Sequence, residues 1–149
     1  MAIAKKAPAR KAAAKATKTF SAEERAAMQE AAREAKRGKN NGEADVLAKI
    51  ADMVESDRKM GERIHAIVKA AAPGIEAKTW YGMPAYAKDG KTICFFQPAA
   101  KFKTRYATLG FQDAAKLDDG NVWPNAYAIL KLTAADEARI AALVKQAVG

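Results

Sequence analysis

Chemically versatile side chains are scarce in this chain, and each scarcity excludes a class of function. One cysteine, Cys94, rules out an intramolecular disulfide framework. It stands in the apolar run Thr92-Ile-Cys-Phe-Phe96, which predicts a buried small hydrophobe rather than a reactive thiol. One histidine, His65, and one cysteine do not make a tetrahedral zinc site within one chain. Gly82, Gly90 and Gly110 read as isolated turn glycines, not a spaced phosphate loop. No G-x-S-x-G elbow occurs, and Ser21 and Ser56 both read as helix-start residues. Apolar runs fall well short of the roughly 18 to 20 residues that span a bilayer. The first residues also lack the apolar stretch of a secretory signal. Together these absences predict a cytoplasmic protein with no membrane partner and no recognisable catalytic motif.

Alanine is abundant instead. Its 37 copies make up about half of the 50% hydrophobic content, and alanine favours helix while burying little area. The larger apolar residues cluster after Val46, so the core is expected from there onward. Charge is uneven as well. Residues 1–41 hold 11 Lys or Arg against 4 Glu, whereas residues 42–149 hold 15 basic and 13 acidic residues. Residues 1–19 carry Lys5, Lys6, Arg10, Lys11, Lys15 and Lys18 and no acid. Such a Lys/Ala/Pro stretch is not expected to fold alone, and it would neutralise the phosphates of DNA or RNA without reading sequence. A solubilising segment is the alternative. An organelle transit peptide is a third reading, disfavoured because the stretch lacks an apolar face.

The rest of the chain changes period midway. Ser21 and Glu24 form a capping-box pattern opening a sparsely apolar, peripheral helix to about Arg37, and residues 20–42 comprise this helix and its linker. Val46, Leu47, Ile50, Met53 and Val54 follow helical spacing, as do Met60, Ile64, Ile67 and Val68 after a break expected near Ser56-Asp57, with Asp57 as cap. Pro73-Gly74 ends that helix. Asp89-Gly90, between alternating segments, predicts a hairpin. Further strands are expected over Lys101–Leu109 and residues 126–132, and Thr133 with Asp136 opens a closing helix. Helices, a strand meander and a final helix give an α+β fold: an antiparallel sheet of about four to five strands with helices on one face, over residues 43–149.

Several candidate sites follow. Asp45, Asp52 and Glu55, at spacings of seven and three on one helix, would share a face able to hold a hard or borderline cation such as ferrous iron. Lys49, Arg58 and Lys59 nearby favour an ordinary solvated face. Lys101, Lys103 and Arg105 alternate with Phe102, Thr104 and Tyr106, either tracking a phosphate backbone or protecting an edge strand. Trp80, Tyr81, Met83, Tyr86 and Trp123 would line a pocket for a small organic ligand, or else pack as core and sheet face. Pro84 places its neighbourhood at a sheet edge or a bulge. His65, beside Ile64 and Ile67, reads as structural.

The stretch from Pro73 to Phe96, with Glu76, the element Tyr81-Gly82-Met83-Pro84-Ala85-Tyr86 and the return Gly90-Lys91, resembles the YdhG-like domain of unknown function over roughly residues 45–148. The resemblance implies a frataxin-like α+β sandwich without an established catalytic reaction. It also implies, from relatives described as iron chaperones, iron binding and delivery to an iron-accepting protein. The sequence therefore leads to a non-enzymatic binding domain. Its ligand is either iron or, through the basic stretch, nucleic acid.

Overall fold

A computed structural model of the protein describes residues 21–37 and 42–149; the basic stretch with Lys5, Lys6, Arg10, Lys11, Lys15 and Lys18 lies outside them. Among the described residues four helices and five strands run α1 (Ala22–Arg37), α2 (Glu43–Ala51), α3 (Glu55–Ala71), β1 (Glu76–Trp80), β2 (Met83–Lys88), β3 (Lys91–Gln97), β4 (Ala107–Phe111), β5 (Ala126–Ile129), α4 (Ala134–Val148). The strands pair antiparallel in chain order, β1-β2-β3-β4-β5. The fold is α+β.

Both tight hairpins are made by two-residue turns with both central residues at positive φ, Tyr81-Gly82 (53°, 75°) and Asp89-Gly90 (52°, 78°). That primed geometry matches the twist of the flanking strands. Aspartate accepts the left-handed region readily; tyrosine does not, so Tyr81 is the strained member. Pro84 stands in β2, an interior strand rather than an edge, and the bulge expected in its neighbourhood falls two residues on, between Tyr86 and Ala87. The missing N–H is tolerated there because the β2–β3 ladder begins one residue later, at Ala85 opposite Phe95.

The core lies between one sheet face and three helices. Val46 and Ile50 of α2, Ile64 and Val68 of α3, and Ile140 and Val144 of α4 bury against Tyr86, Cys94, Phe96 and Leu109. Each such side chain contributes about 1.5–3 kcal/mol on leaving water. Thr133 caps α4 reciprocally with Asp136: the Asp136 N–H donates to Thr133 Oγ1 (3.3 Å) and the Thr133 N–H to Asp136 Oδ2 (2.9 Å). Arg63 of α3 and Glu137 of α4 form an ion pair that ties the two helices.

Three sequence expectations are corrected. The helix break falls at 52–54, with Val54 as the residue before α3. Asp57 therefore sits in the first turn and points inward, its carboxylate accepting the Ala99 N–H (3.3 Å) and the Ala100 N–H (2.9 Å). That hold closes residues 99–104 into turns, with Lys103 at φ 54° and the Thr104 N–H donating to the Ala99 carbonyl. Lys101–Thr104 thus form no strand despite their alternation, and pairing starts only at Ala107. The last strand stops at Ile129 rather than continuing to Leu132.

Helix α1 lies across the β1–β2 turn. Ala27 is its buried anchor. Two ion pairs, Glu23–Lys103 (2.7 Å) and Glu30–Lys49 (3.1 Å), hold it down. Glu24, Ala27 and Met28 face Tyr81, Met83, Gln97 and Phe102 across a shallow cavity of about 220 Å³.

Candidate anion-binding groove

The carboxylates that would have shared one helix face are dispersed by the early break. Asp45 is in the first turn of α2, Asp52 terminates α2, and Glu55 opens α3, where it pairs with Lys59 (3.0 Å). Among the described residues no group of three His, Cys, Asp or Glu side chains is arranged to hold a metal ion.

The aromatic set is divided too, because alternate residues of a strand face opposite ways. Tyr86 is fully buried on the helix side. Trp80 faces away from the helices, edge-on to Tyr81 (5.0 Å, 82°) and to Phe95 (5.2 Å, 62°). Trp123 packs against the core from the β4–β5 connection. Of the five, only Tyr81 and Met83 line a common cavity, the one beneath α1.

Tyr86 instead belongs to a polar chain, running from the core out to the exposed Glu43, that sequence reading missed. Its hydroxyl lies 2.9 Å from His65 Nδ1, and His65 Nε2 lies 2.9 Å from Glu43 Oε1. A carboxylate only accepts, so Nε2–H donates to Glu43, and in the neutral ring Nδ1 accepts from the Tyr86 hydroxyl. The hydrogen bond from His65, with the charge of Lys69 behind it, holds the Glu43 carboxyl below the usual range. Burial pushes the Tyr86 phenol well above its ordinary value and the Cys94 thiol up to about 12. These groups satisfy one another and close the core; His65 is structural in that sense.

The basic alternation also disperses. Lys101 Nζ donates to the Gly82 carbonyl (3.3 Å), and Lys103 pairs with Glu23. Arg105 turns the other way, its guanidinium 5.2 Å from the Tyr106 ring. There it meets Lys131 and Arg139 at the rim of a groove of about 370 Å³ between the open edge of β5 and helix α4. Tyr127, Ile129, Ile140 and Leu143 form its apolar floor.

The groove follows from local structure. The Thr133–Asp136 cap sets where α4 begins, and Arg139, three residues past Asp136, rises beside β5 with its guanidinium 5.6 Å from the Tyr127 ring. Asp136 is the one carboxylate of the rim, and it is engaged in capping: the hydrogen bonds from Thr133 hold its carboxyl low. Three cations thus surround an apolar floor, and two are oriented by aromatic faces. The arrangement suits an anionic group carried on a flat or apolar body. Sequence reading named Arg105 but not Lys131, Arg139 or Tyr127. They converge only through pairing of β4 with β5 and docking of α4, which local pattern does not record.

Compared with known proteins, the chain matches no family model, no curated protein and no solved structure. Among the described residues no helix is long and apolar enough to cross a membrane.

Proposed function

We propose that this protein is a non-enzymatic module that associates with nucleic acid. The observation that carries the proposal is the convergence of Arg105, Lys131 and Arg139 on one groove in a domain whose charges otherwise nearly cancel. Guanidinium groups pair phosphate oxygens in a fixed fork, and the tyrosine-lined floor accepts the flat face of a sugar or base. The six cations of residues 1–19 would add sequence-independent phosphate neutralisation. The iron-delivery role implied by the YdhG-like resemblance ranks below this reading, since Asp45, Asp52 and Glu55 do not converge.

Fluorescence anisotropy with a labelled oligonucleotide over a salt series tests the proposal. Replacing Arg105, Lys131 and Arg139 together by Ala is expected to flatten the log–log salt slope by about 2 to 3, close to one per lost phosphate contact. Replacing the six cations of residues 1–19 by Gln is expected to flatten it independently. Affinity and slope unchanged by the groove substitutions would remove the domain from the proposal.

A further inference from the structure

We propose that the sheet face turned away from α2, α3 and α4 is a stacking platform for the unpaired bases of a single-stranded nucleic acid. This rests on the nucleic-acid reading and narrows its substrate class. The strand register places Lys78, Ala85, Phe95, Gly110 and Ala126 in one row across all five strands on this face. A second row holds Trp80 and Met83 on β1 and β2, and Gln97, Thr108 and Ala128 on β3 to β5.

The composition of these rows matches the demands of single-strand binding. Trp80 and Phe95 are half-buried rings in mutual edge contact, and the end of the Phe95 ring lies directly over Gly110. Beyond them the exposed Ala126 and Ala128 leave a floor without bulky side chains, so bases can lie flat beside the rings. Gln97 and Thr108 offer donors and acceptors to base edges, and Lys78 supplies a cation. Neither row contains a carboxylate; Glu76, two residues before Lys78 on the same face, and Glu24 of α1 stand at their border. Helix α1 borders the same face, its Glu24 and Met28 lying across a shallow cavity from Met83 and Gln97.

Other occupants fit less well. A folded protein partner would find only Trp80, Phe95 and Met83 as large apolar groups, and Met83 is already 94% covered (6% exposed). Duplex bases are stacked on one another and do not present their faces to a sheet, whereas unpaired bases do.

The test compares the full chain on a labelled oligodeoxythymidine and on a labelled duplex. Trp80→Ala and Phe95→Ala are each expected to weaken single-strand binding roughly 5- to 150-fold, the range of one lost base–aromatic stack. Duplex binding should change less than about twofold, since the phosphate contacts made elsewhere remain. Trp80→Phe and Phe95→Tyr should retain affinity. Because an alanine variant can fail through misfolding, Trp80 emission is also followed in a Trp123→Phe background, where oligodeoxythymidine should quench it. Equal binding of both nucleic acids with Trp80 unquenched overturns the platform and leaves the groove proposal standing. Failure to bind either nucleic acid overturns both.

Discussion

Substituting Gly110 by Ala probes the packing that gives the open sheet face its shape. Gly110 has ordinary negative-φ strand backbone, so alanine meets no conformational penalty there. It gains about 0.5–1 kcal/mol from the lower entropy of the unfolded chain. The new Cβ, however, would stand 2.2 Å from Phe95 Cζ, 2.4 Å from Cε1 and 2.9 Å from Cε2. Carbon atoms rest at about 3.5–4.0 Å, so the ring must swing away. Overfilling of this kind costs about 1–3 kcal/mol, and loss of the Trp80–Phe95 contact adds about 0.5–1.5 kcal/mol. The net expectation is a destabilisation of about 0.5–4 kcal/mol, centred near 2, read as a lower urea midpoint at unchanged slope. In a Phe95→Ala background the obstacle is gone, and the same substitution should become neutral or mildly stabilising. A coupling between the two substitutions below about 0.5 kcal/mol would refute the steric account.

Two further predictions concern the hydrogen-bonded carboxylates Asp57 and Glu43. Asp57→Ala strands the N–H groups of Ala99 and Ala100 and should cost about 2–4 kcal/mol by chemical unfolding, with Asp57→Asn recovering part of it. Glu43 has a lower carboxyl pKa folded than unfolded, because of the His65 hydrogen bond first and Lys69 second. The unfolded chain therefore binds the proton more readily. The stability this group contributes is complete above the ordinary carboxylate range and is lost as pH falls through the folded value. Urea midpoints measured down through the acid range should decline more steeply in the natural protein than in a His65→Leu variant. Parallel curves would show that His65 does not depress Glu43.

What the sequence revealed and concealed divides along the range of the interactions. The Asp89-Gly90 turn, the Thr133–Asp136 cap and the helical stripe of Ile64 and Val68 depend on residues a few positions apart, and all are present in the structure. Alternation misled at Lys101–Leu109 because Asp57, over forty residues away, ties Ala99 and Ala100 into a turn. Tyr81-Gly82 escaped notice as a second primed turn, since a tyrosine at positive φ runs against ordinary turn preference. The carboxylate triad failed through a break only a few residues before where it was expected, which is enough to put Glu55 on a different helix from Asp45 and Asp52. The groove could not be read in advance. Arg105 and Arg139 lie 34 positions apart in the chain and meet only after the sheet has formed.

The strictly sequential strand order has a kinetic consequence. Each strand's partner has just been synthesised when it emerges, and closing a short loop costs little entropy, so pairing can advance along the nascent chain hairpin by hairpin. The apolar face of that growing ribbon is only partly covered by α2 and α3, which precede it, until Ile140 and Val144 of α4 arrive and complete the layer. Translation that stalls before residue 134 would therefore leave a nearly finished sheet with an oily side exposed. Chaperone capture or degradation of the unfinished chain should concentrate at that step, after the last strand and before the last helix.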